Sequence, residues 1–204
     1  LILERPARRL LQRPVPWTTT VLVNGTIHAR EWQSPEVVTG LMEMLALRSA
    51  DGGIGQYLSD NLNVVILPIL NIDGFRQTQR YPERFSADPD RPRDGRMRRK
   101  NMRYDGGLVD TDLDNTADNF QGVDLNRDFP DLFFDPVNTP DGRAVETGLI
   151  MAWTAQHSIV LSANFHAGAR VINYPYDSDP NRWATYSACP DDDVFIQQSL
   201  TYSR

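Results

Sequence analysis

The chain has 204 residues, 40% of them hydrophobic, which is enough for one globular domain with a substantial buried core. A formal charge of −6 and a pI near 5.0 exclude nucleic acid as a partner, because phosphate-backbone affinity rests on clustered Lys and Arg releasing counterions. No apolar run reaches the ~18 to 20 residues of a membrane span, and the longest, Val64 to Leu70, contains Pro68.

Residues 1 to 12 contain several Arg but no apolar core followed by a small-residue cleavage site, so they assign no targeting signal. Leu1 at one end and Tyr202-Ser203-Arg204 at the other read as cut ends. Residues 19 to 27 are rich in β-branched positions and contain Asn24-Gly25, which predicts a strand running into a loop that begins at His28. Ser34 as a capping hydroxyl, Pro35 at the first helical position and the stripe Val37, Val38, Leu41, Met42, Leu45 predict a helix to about Leu47. Asn63 to Leu70 is a continuous apolar run suited to a strand buried on both faces, and Asn71-Ile72-Asp73-Gly74 closes it as a turn.

From Tyr81 to Gln121 no periodicity is sustained, a length of irregular chain that usually has a function. Within it the basic run Arg91 to Arg103 is bordered by acidic residues and reads as a solvated or ligand-facing loop. Asp110, Asp112, Asp114 and Asp118 have the alternate spacing of a calcium loop but lack its glycine and distal glutamate, which favours a solvated acidic insertion. A helix is predicted from about Gly142 to His157, where His157 would complement the carbonyl dipoles of its end, and Ile159 to Phe165 reads as another interior strand. The lone Cys189 cannot form an intrachain disulfide and identifies no compartment. This order of elements predicts one partial α/β domain over residues 1–204, with a mixed, mainly parallel twisted sheet and helices on both faces.

Ligands of such sheets collect at the carboxyl ends of the strands, and His28 and His166 each follow a predicted strand. His28 and Glu31 stand three residues apart, so a tight turn lets both aim at one cation. Two His and one Glu form the three-ligand, one-open-position zinc site used in hydrolysis. Spacing alone is weak here, since a bland surface pair accounts for most such matches.

Five segments then occur in one order. His28-Ala29-Arg30-Glu31-Trp32 with Ser34-Pro35-Glu36 resembles the H-x-R-E-W segment and following helix of the zinc metallocarboxypeptidases. Arg96 to Lys100 is similar to that family's R-M-W-R-K, with Arg98 in place of Trp, and Gly122 to Pro130 is similar to G-V-D-x-N-R-N-F-P. Ser162 to His166 and then Asn173-Tyr174-Pro175-Tyr176-Asp177 resemble the strand carrying the third ligand and the Y-P-Y/F-D beyond it. The last segments lean toward the regulatory E/N/D branch, and the first toward the pancreatic A/B branch.

The resemblance implies one Zn2+ held by His28, Glu31 and His166, with Asp124 accepting a hydrogen bond from a ligand imidazole. It implies Arg99 as the group that polarises the scissile carbonyl and stabilises the oxyanion, although Arg96, Arg98, Lys100 and Arg103 lie close by. Asn126 and Arg127 would grip the substrate's terminal carboxylate, and Asp177 would favour a Lys or Arg side chain, against the plainer reading of a turn Asp. Peptide or protein carboxyl termini are the implied substrates, and a secreted or periplasmic setting is favoured. The family also uses a catalytic glutamate and a substrate-covering tyrosine several dozen residues past the third ligand. The 38 residues after His166 contain no Glu, and the last one is Glu146. The sequence therefore reads as a fragment of an active enzyme, expected to expose an apolar sheet edge. An inactive zinc- and peptide-terminus-binding homologue and an amidohydrolase acting on peptidoglycan stem peptides are the alternatives.

Overall fold

A computed structural model describes residues 2–3, 19–80, 95–103, 122–131, 134–177 and 186–204. The acidic segment 110–118, most of the long irregular stretch and residues 91–94 of the basic run lie outside the described residues. The chain divides into two units, one of residues 1–128 and 140–167 and the other of residues 129–139 and 168–204.

The first unit is built on a four-stranded sheet. Strand β1 is Ile2–Leu3, β2 is Thr20–Gly25, β3 is Asn63–Leu67 and β4 is Ile159–Phe165. Their order is β1-β3-β2-β4, with β3 and β4 parallel to the central β2 and β1 antiparallel to β3. Helix α1, Gln33–Leu47, crosses from β2 toward α2, Ile54–Asn61, which leads into β3. Alternate residues Val21, Val23, Val64 and Ile66 point to one face, where Val38, Leu41, Met42 and Leu45 of α1 meet them. That i, i+3, i+4, i+7 spacing is one helical stripe, and each fully buried aliphatic side chain in it stabilises the fold by ~1.5 to 3 kcal/mol. Val37, expected in the stripe, is 49% exposed because it stands one position off it.

The opposite face, carrying Leu22, Val65 and Leu67, looks across a cavity of about 950 Å3 at Leu149, Ile150 and Trp153 of α4, Val145–Thr154. The mixed sheet with helices on both sides is the expected α/β arrangement. His157, just past α4, holds the Trp153 carbonyl through Nδ1 at 2.7 Å, in keeping with its expected place at a helix end.

Four expectations change. Helix α1 begins one residue before the expected cap, at Gln33, because Ser34 is committed elsewhere: its hydroxyl accepts the Thr26 N–H (2.9 Å) and donates to the Glu31 carbonyl (2.8 Å). Asn71 to Gly74 is no closing turn but the start of α3, Ile72–Arg80, since the Asn71 side chain accepts the Gly74 N–H at 3.1 Å, the bond of an N-cap. Strand β4 is not interior. It pairs only with β2 among the described strands, and Val160 and Leu161 are exposed. The basic segment is not uniformly solvated either, for Arg98 is 1% exposed and its Nη2 donates to the Asn101 carbonyl at 2.6 Å.

The second unit carries α5, Asp192–Tyr202, preceded by Pro190 and opened by acidic residues that suit a helix N-terminus. Phe195 of α5 stacks on Tyr174 with ring centroids 6.0 Å apart, and the Tyr176 N–H donates to the Ser187 carbonyl at 3.1 Å.

Candidate metal centre

Strands β2 and β4 lie side by side in parallel, with Asn24 opposite Asn164 and Gly25 opposite Phe165. Their carboxyl ends therefore deliver His28 and His166 to the same edge of the sheet. Between Gly25 and α1 the chain makes a tight loop. Thr26 adopts φ 54°, a left-handed conformation unusual for a β-branched residue. Its surroundings over-determine it: the amide is bound by Ser34 Oγ, the hydroxyl donates to the Pro68 carbonyl at 3.0 Å, and the residue is fully buried. The Glu31 N–H donates to the His28 carbonyl at 3.1 Å, which closes the turn and brings both side chains to one side.

Three expected ligands converge. His28 Nδ1 lies 2.7 Å from Glu31 Oε1 and 3.2 Å from His166 Nδ1, and His166 Nδ1 lies 2.9 Å from Glu31 Oε2. One donor atom from each residue falls within 4.8 Å of the others. The Ala167 N–H also donates to Glu31 Oε2 at 3.1 Å, fixing the carboxylate from the β4 side.

The protonation pattern follows from the partners. Asp124 Oδ1 lies 3.2 Å from His28 Nε2, and a carboxylate only accepts, so the Nε2 position carries the proton. Nδ1 of a neutral His28 then presents a lone pair toward a carboxylate oxygen and a second imidazole nitrogen. These donor atoms repel one another unless positive charge stands among them, and a tetrahedral zinc would hold nitrogen ligands about 3.3 Å apart, from Zn–N bonds of ~2.0 to 2.1 Å. The residues fit a zinc ion. The same deficit shows in the acidities. Burial alone would lower the His28 pKa, yet Asp124 and Glu31 raise it overall. Burial alone would raise Glu31, yet bonds from His166 and His28 bring it down to about 2. Asp124 is likewise held far below the usual carboxylate range against its burial, by His28 and Arg99. His28 is nearly enclosed, its side chain 3% exposed, whereas that of His166 is 36% exposed, so the cluster opens to solvent on one side.

Asp124 joins the expected arginine to this cluster. Its Oδ2 accepts Arg99 Nε–H at 2.9 Å, while its Oδ1 also accepts the Asn126 N–H at 3.0 Å and starts the short 3-10 turn Leu125–Arg127. That turn places the exposed Asn126 and Arg127 next to Asp124, with Arg127 Nη1 donating to the Asn126 carbonyl at 2.8 Å. Of the neighbouring cations, Arg99 is the one whose Nε–H is seen to reach Asp124 among the described residues. Arg96 lies instead over the Trp32 ring, 4.9 Å from its centroid, and Arg98 is buried. Asp177 belongs to the second unit, where it is exposed in a shallow cleft with Asp131, Tyr174 and Tyr176. Glu146, the last glutamate of the sequence, accepts from Asn101 Nδ2 at 3.0 Å.

Sequence reasoning passed over Ser34, Asn71 and Thr26 as parts of this site. Of the three, Asn71 alone carries a sequence signal, since Asn71-x-Asp-Gly spells an N-cap as well as a turn.

A family model described as zinc carboxypeptidase matches residues 14–204. Human carboxypeptidase D is 32% identical over 180 residues, which cover 88% of this chain and 11% of that protein. Carboxypeptidase SOL1 of Arabidopsis thaliana is 29% identical over 180 residues, covering 88% of this chain and 29% of the relative. The human carboxypeptidase N catalytic chain is 30% identical over 203 residues, covering 88% and 39%. The chain thus spans well under half the length of these relatives. The crystal structure of thrombin activatable fibrinolysis inhibitor aligns with a TM-score of 0.64 at 18% identity, over 94% of this chain and 43% of that one. That of the carboxypeptidase A from Helicoverpa armigera aligns with a TM-score of 0.60 at 20% identity, over 90% and 40%. These two likenesses establish the shared fold.

Proposed function

This chain belongs to the zinc carboxypeptidase family, and from that premise we propose that it is the metal-binding part of an exopeptidase that hydrolyses the carboxyl-terminal peptide bond of peptides and proteins. The observation that carries the reading is the convergence of His28 Nδ1, His166 Nδ1 and the Glu31 carboxylate beside an arginine held by Asp124.

A zinc ion bound there supplies Lewis-acid activation of water and of the scissile carbonyl. The residues present bind and orient, while the glutamate base that the resemblance implies is not among the 38 residues after His166. Asp124 keeps the His28 proton on Nε2, so that Nδ1 remains a ligand. By holding Arg99 at Nε, the same carboxylate aims the outer guanidinium nitrogens at the negative charge that develops on the carbonyl oxygen, a preorganised electrostatic contribution. Asn126 and Arg127, exposed on their short turn, receive the substrate's terminal carboxylate, the arginine through two parallel N–H bonds. The relatives of the D and N types support a preference for basic terminal residues, and Asp177 is the carboxylate that would pair with them.

The test is direct. The zinc-loaded full-length parent, which carries the catalytic glutamate that the resemblance implies, is incubated with peptides ending in Lys, Arg, Leu or Phe, and released amino acids are quantified against a Glu31→Gln variant. Release that depends on Glu31 and is fastest for Lys and Arg is the expected result. Preference for Leu and Phe would remove Asp177 from its role, and failure of the wild-type chain to bind one zinc per molecule would sink the whole reading.

A further inference from the structure

Asn71 follows strand β3 and is not one of the candidate ligands, yet every polar group it owns is committed. Its N–H donates to the Thr26 carbonyl at 3.0 Å and its carbonyl accepts the Phe75 N–H at 2.9 Å. Its Oδ1 accepts the Gly74 N–H at 3.1 Å. Its Nδ2 spreads its two hydrogens over the Ile27 carbonyl, at 3.3 Å, and the Arg99 carbonyl, at 3.4 Å, both at the long end of hydrogen bonding. The residue is fully buried, and the amide orientation is fixed by its surroundings, since an oxygen in place of Nδ2 would face two carbonyl oxygens.

Those two carbonyls belong to different parts of the site. Ile27 immediately precedes His28, and Arg99 is the residue held by Asp124. The Arg99 carbonyl also accepts the Ala29 N–H at 3.0 Å, so the loop bearing His28 and the segment bearing Arg99 are already stitched once, and Nδ2 bridges them a second time. A second observation points to the same junction. A Cβ on Gly74 would stand 2.5 Å from Asn71 Oδ1, 2.9 Å from the Lys100 carbonyl and 3.0 Å from Ala29 Cβ. The first turn of α3 is therefore pressed against both segments at once, and only glycine permits that approach.

We infer that Asn71 is a positioning residue of the hydrolytic site: through its Nδ2 it fixes the His28 loop and the Arg99 segment relative to each other, beyond its task of capping α3. The inference rests on the reading of His28 and Arg99 proposed above. Capping needs an acceptor oxygen, whereas bridging needs the amide donor, so substitution separates the two. Ser and Asp are both good N-caps, and neither offers an amide N–H pair to the two carbonyls.

The experiment uses the full-length parent protein, with Asn71→Ser and Asn71→Asp compared to wild type in melting temperature, zinc affinity by chelator competition, kcat and KM. The expected result is a folded variant whose zinc affinity falls about 10-fold or more, the scale of lost outer-sphere support. Its kcat should fall about 10- to 100-fold as Arg99 shifts by up to an ångström, with KM within about threefold. Zinc affinity and kcat both within about twofold of wild type, at a lowered melting temperature, would reduce Asn71 to a helix cap and overturn the inference. Collapse of both cap-retaining variants would equally overturn it, by making the amide a requirement of the fold at large. A full-length wild-type parent that binds zinc without hydrolysing peptides defeats the proposed activity instead, and the zinc-affinity arm still judges Asn71.

Discussion

Replacing Asp124 by Asn removes one charge at nearly constant shape and sets three neighbours against one another. Oδ1 accepts both His28 Nε2–H and the Asn126 N–H, and Oδ2 accepts Arg99 Nε–H. An amide has one acceptor and one donor end. If its oxygen stays with His28 and Asn126, its NH2 meets the Arg99 N–H donor to donor, and the guanidinium is released. If the amide turns over, NH2 meets His28 Nε2, which must then become the acceptor. The imidazole proton moves to Nδ1, the nitrogen that faces Glu31 and His166. The first orientation preserves two bonds and the second preserves one, so the first is favoured. A hydrogen bond to a charged group contributes ~1.5 to 3 kcal/mol, which sets the expected loss in kcat/KM at about 10- to 150-fold, at ~1.4 kcal/mol per decade. Zinc affinity should fall by about 10-fold, at the lower end of the range for outer-sphere ligands, because the His28 tautomer survives. Steady-state hydrolysis of a peptide ending in Arg by the full-length parent, together with chelator-competition titration at fixed pH, measures both. An Asp124→Asn protein with both quantities within threefold of wild type would refute the coupling of His28 to Arg99 through this carboxylate.

The metal-free protein should lose stability in two pH ranges. His28 has a raised pKa in the fold, so its contribution is fully present below its ordinary value of 6.5 and is lost as pH rises through the higher folded value. Glu31, depressed from 4.5 to about 2, contributes above 4.5 and loses that contribution as pH falls toward 2. Zinc should reverse the first trend, since protons compete with the ion for His28, and melting curves from pH 5 to 9 with and without zinc would show opposite slopes. Arg127→Lys should raise KM about tenfold for peptides while leaving an amidated peptide unaffected, because a point charge replaces a bidentate fork; equal effects on both substrates would argue against carboxylate recognition. Leu45→Ala, in the stripe that α1 lays on the sheet, should cost about 2 to 5 kcal/mol in denaturant unfolding of the metal-free chain.

What the sequence made legible was whatever a local pattern encodes. The alternation in β2, the helical stripe of α1 and the His28/Glu31 spacing each repeat within a dozen residues, and the structure brings them where the pattern implies. The distant partners were reached through the resemblance of whole segments, since nothing near Asp124 or His166 reveals that either faces His28. The misreadings have one source, a polar side chain whose partner is remote or whose geometry serves two motifs. Ser34 looks like a cap until Thr26 claims its hydroxyl, and Asn71 looks like a turn residue until Gly74 is seen to bind its side chain. Helix α2 could have been found from Ile54, Tyr57 and Leu58, whose i, i+3, i+4 spacing is helical. That a fragment would expose an apolar sheet edge was expected, but an apolar run does not say which strand stands there, and it is β4 among the described strands.

The pairing of β2 with β4 has a temporal consequence. His28 and His166 are 138 positions apart, so a ribosome releases one imidazole and the glutamate long before the other. No nascent chain that ends before His166 can complete the cluster. Because side chains alternate across a strand, a one-residue slip of β4 would turn His166 to the wrong surface. Ion capture is therefore a late event that reports correct register, and it tightens a contact between residues 138 positions apart after that contact has formed.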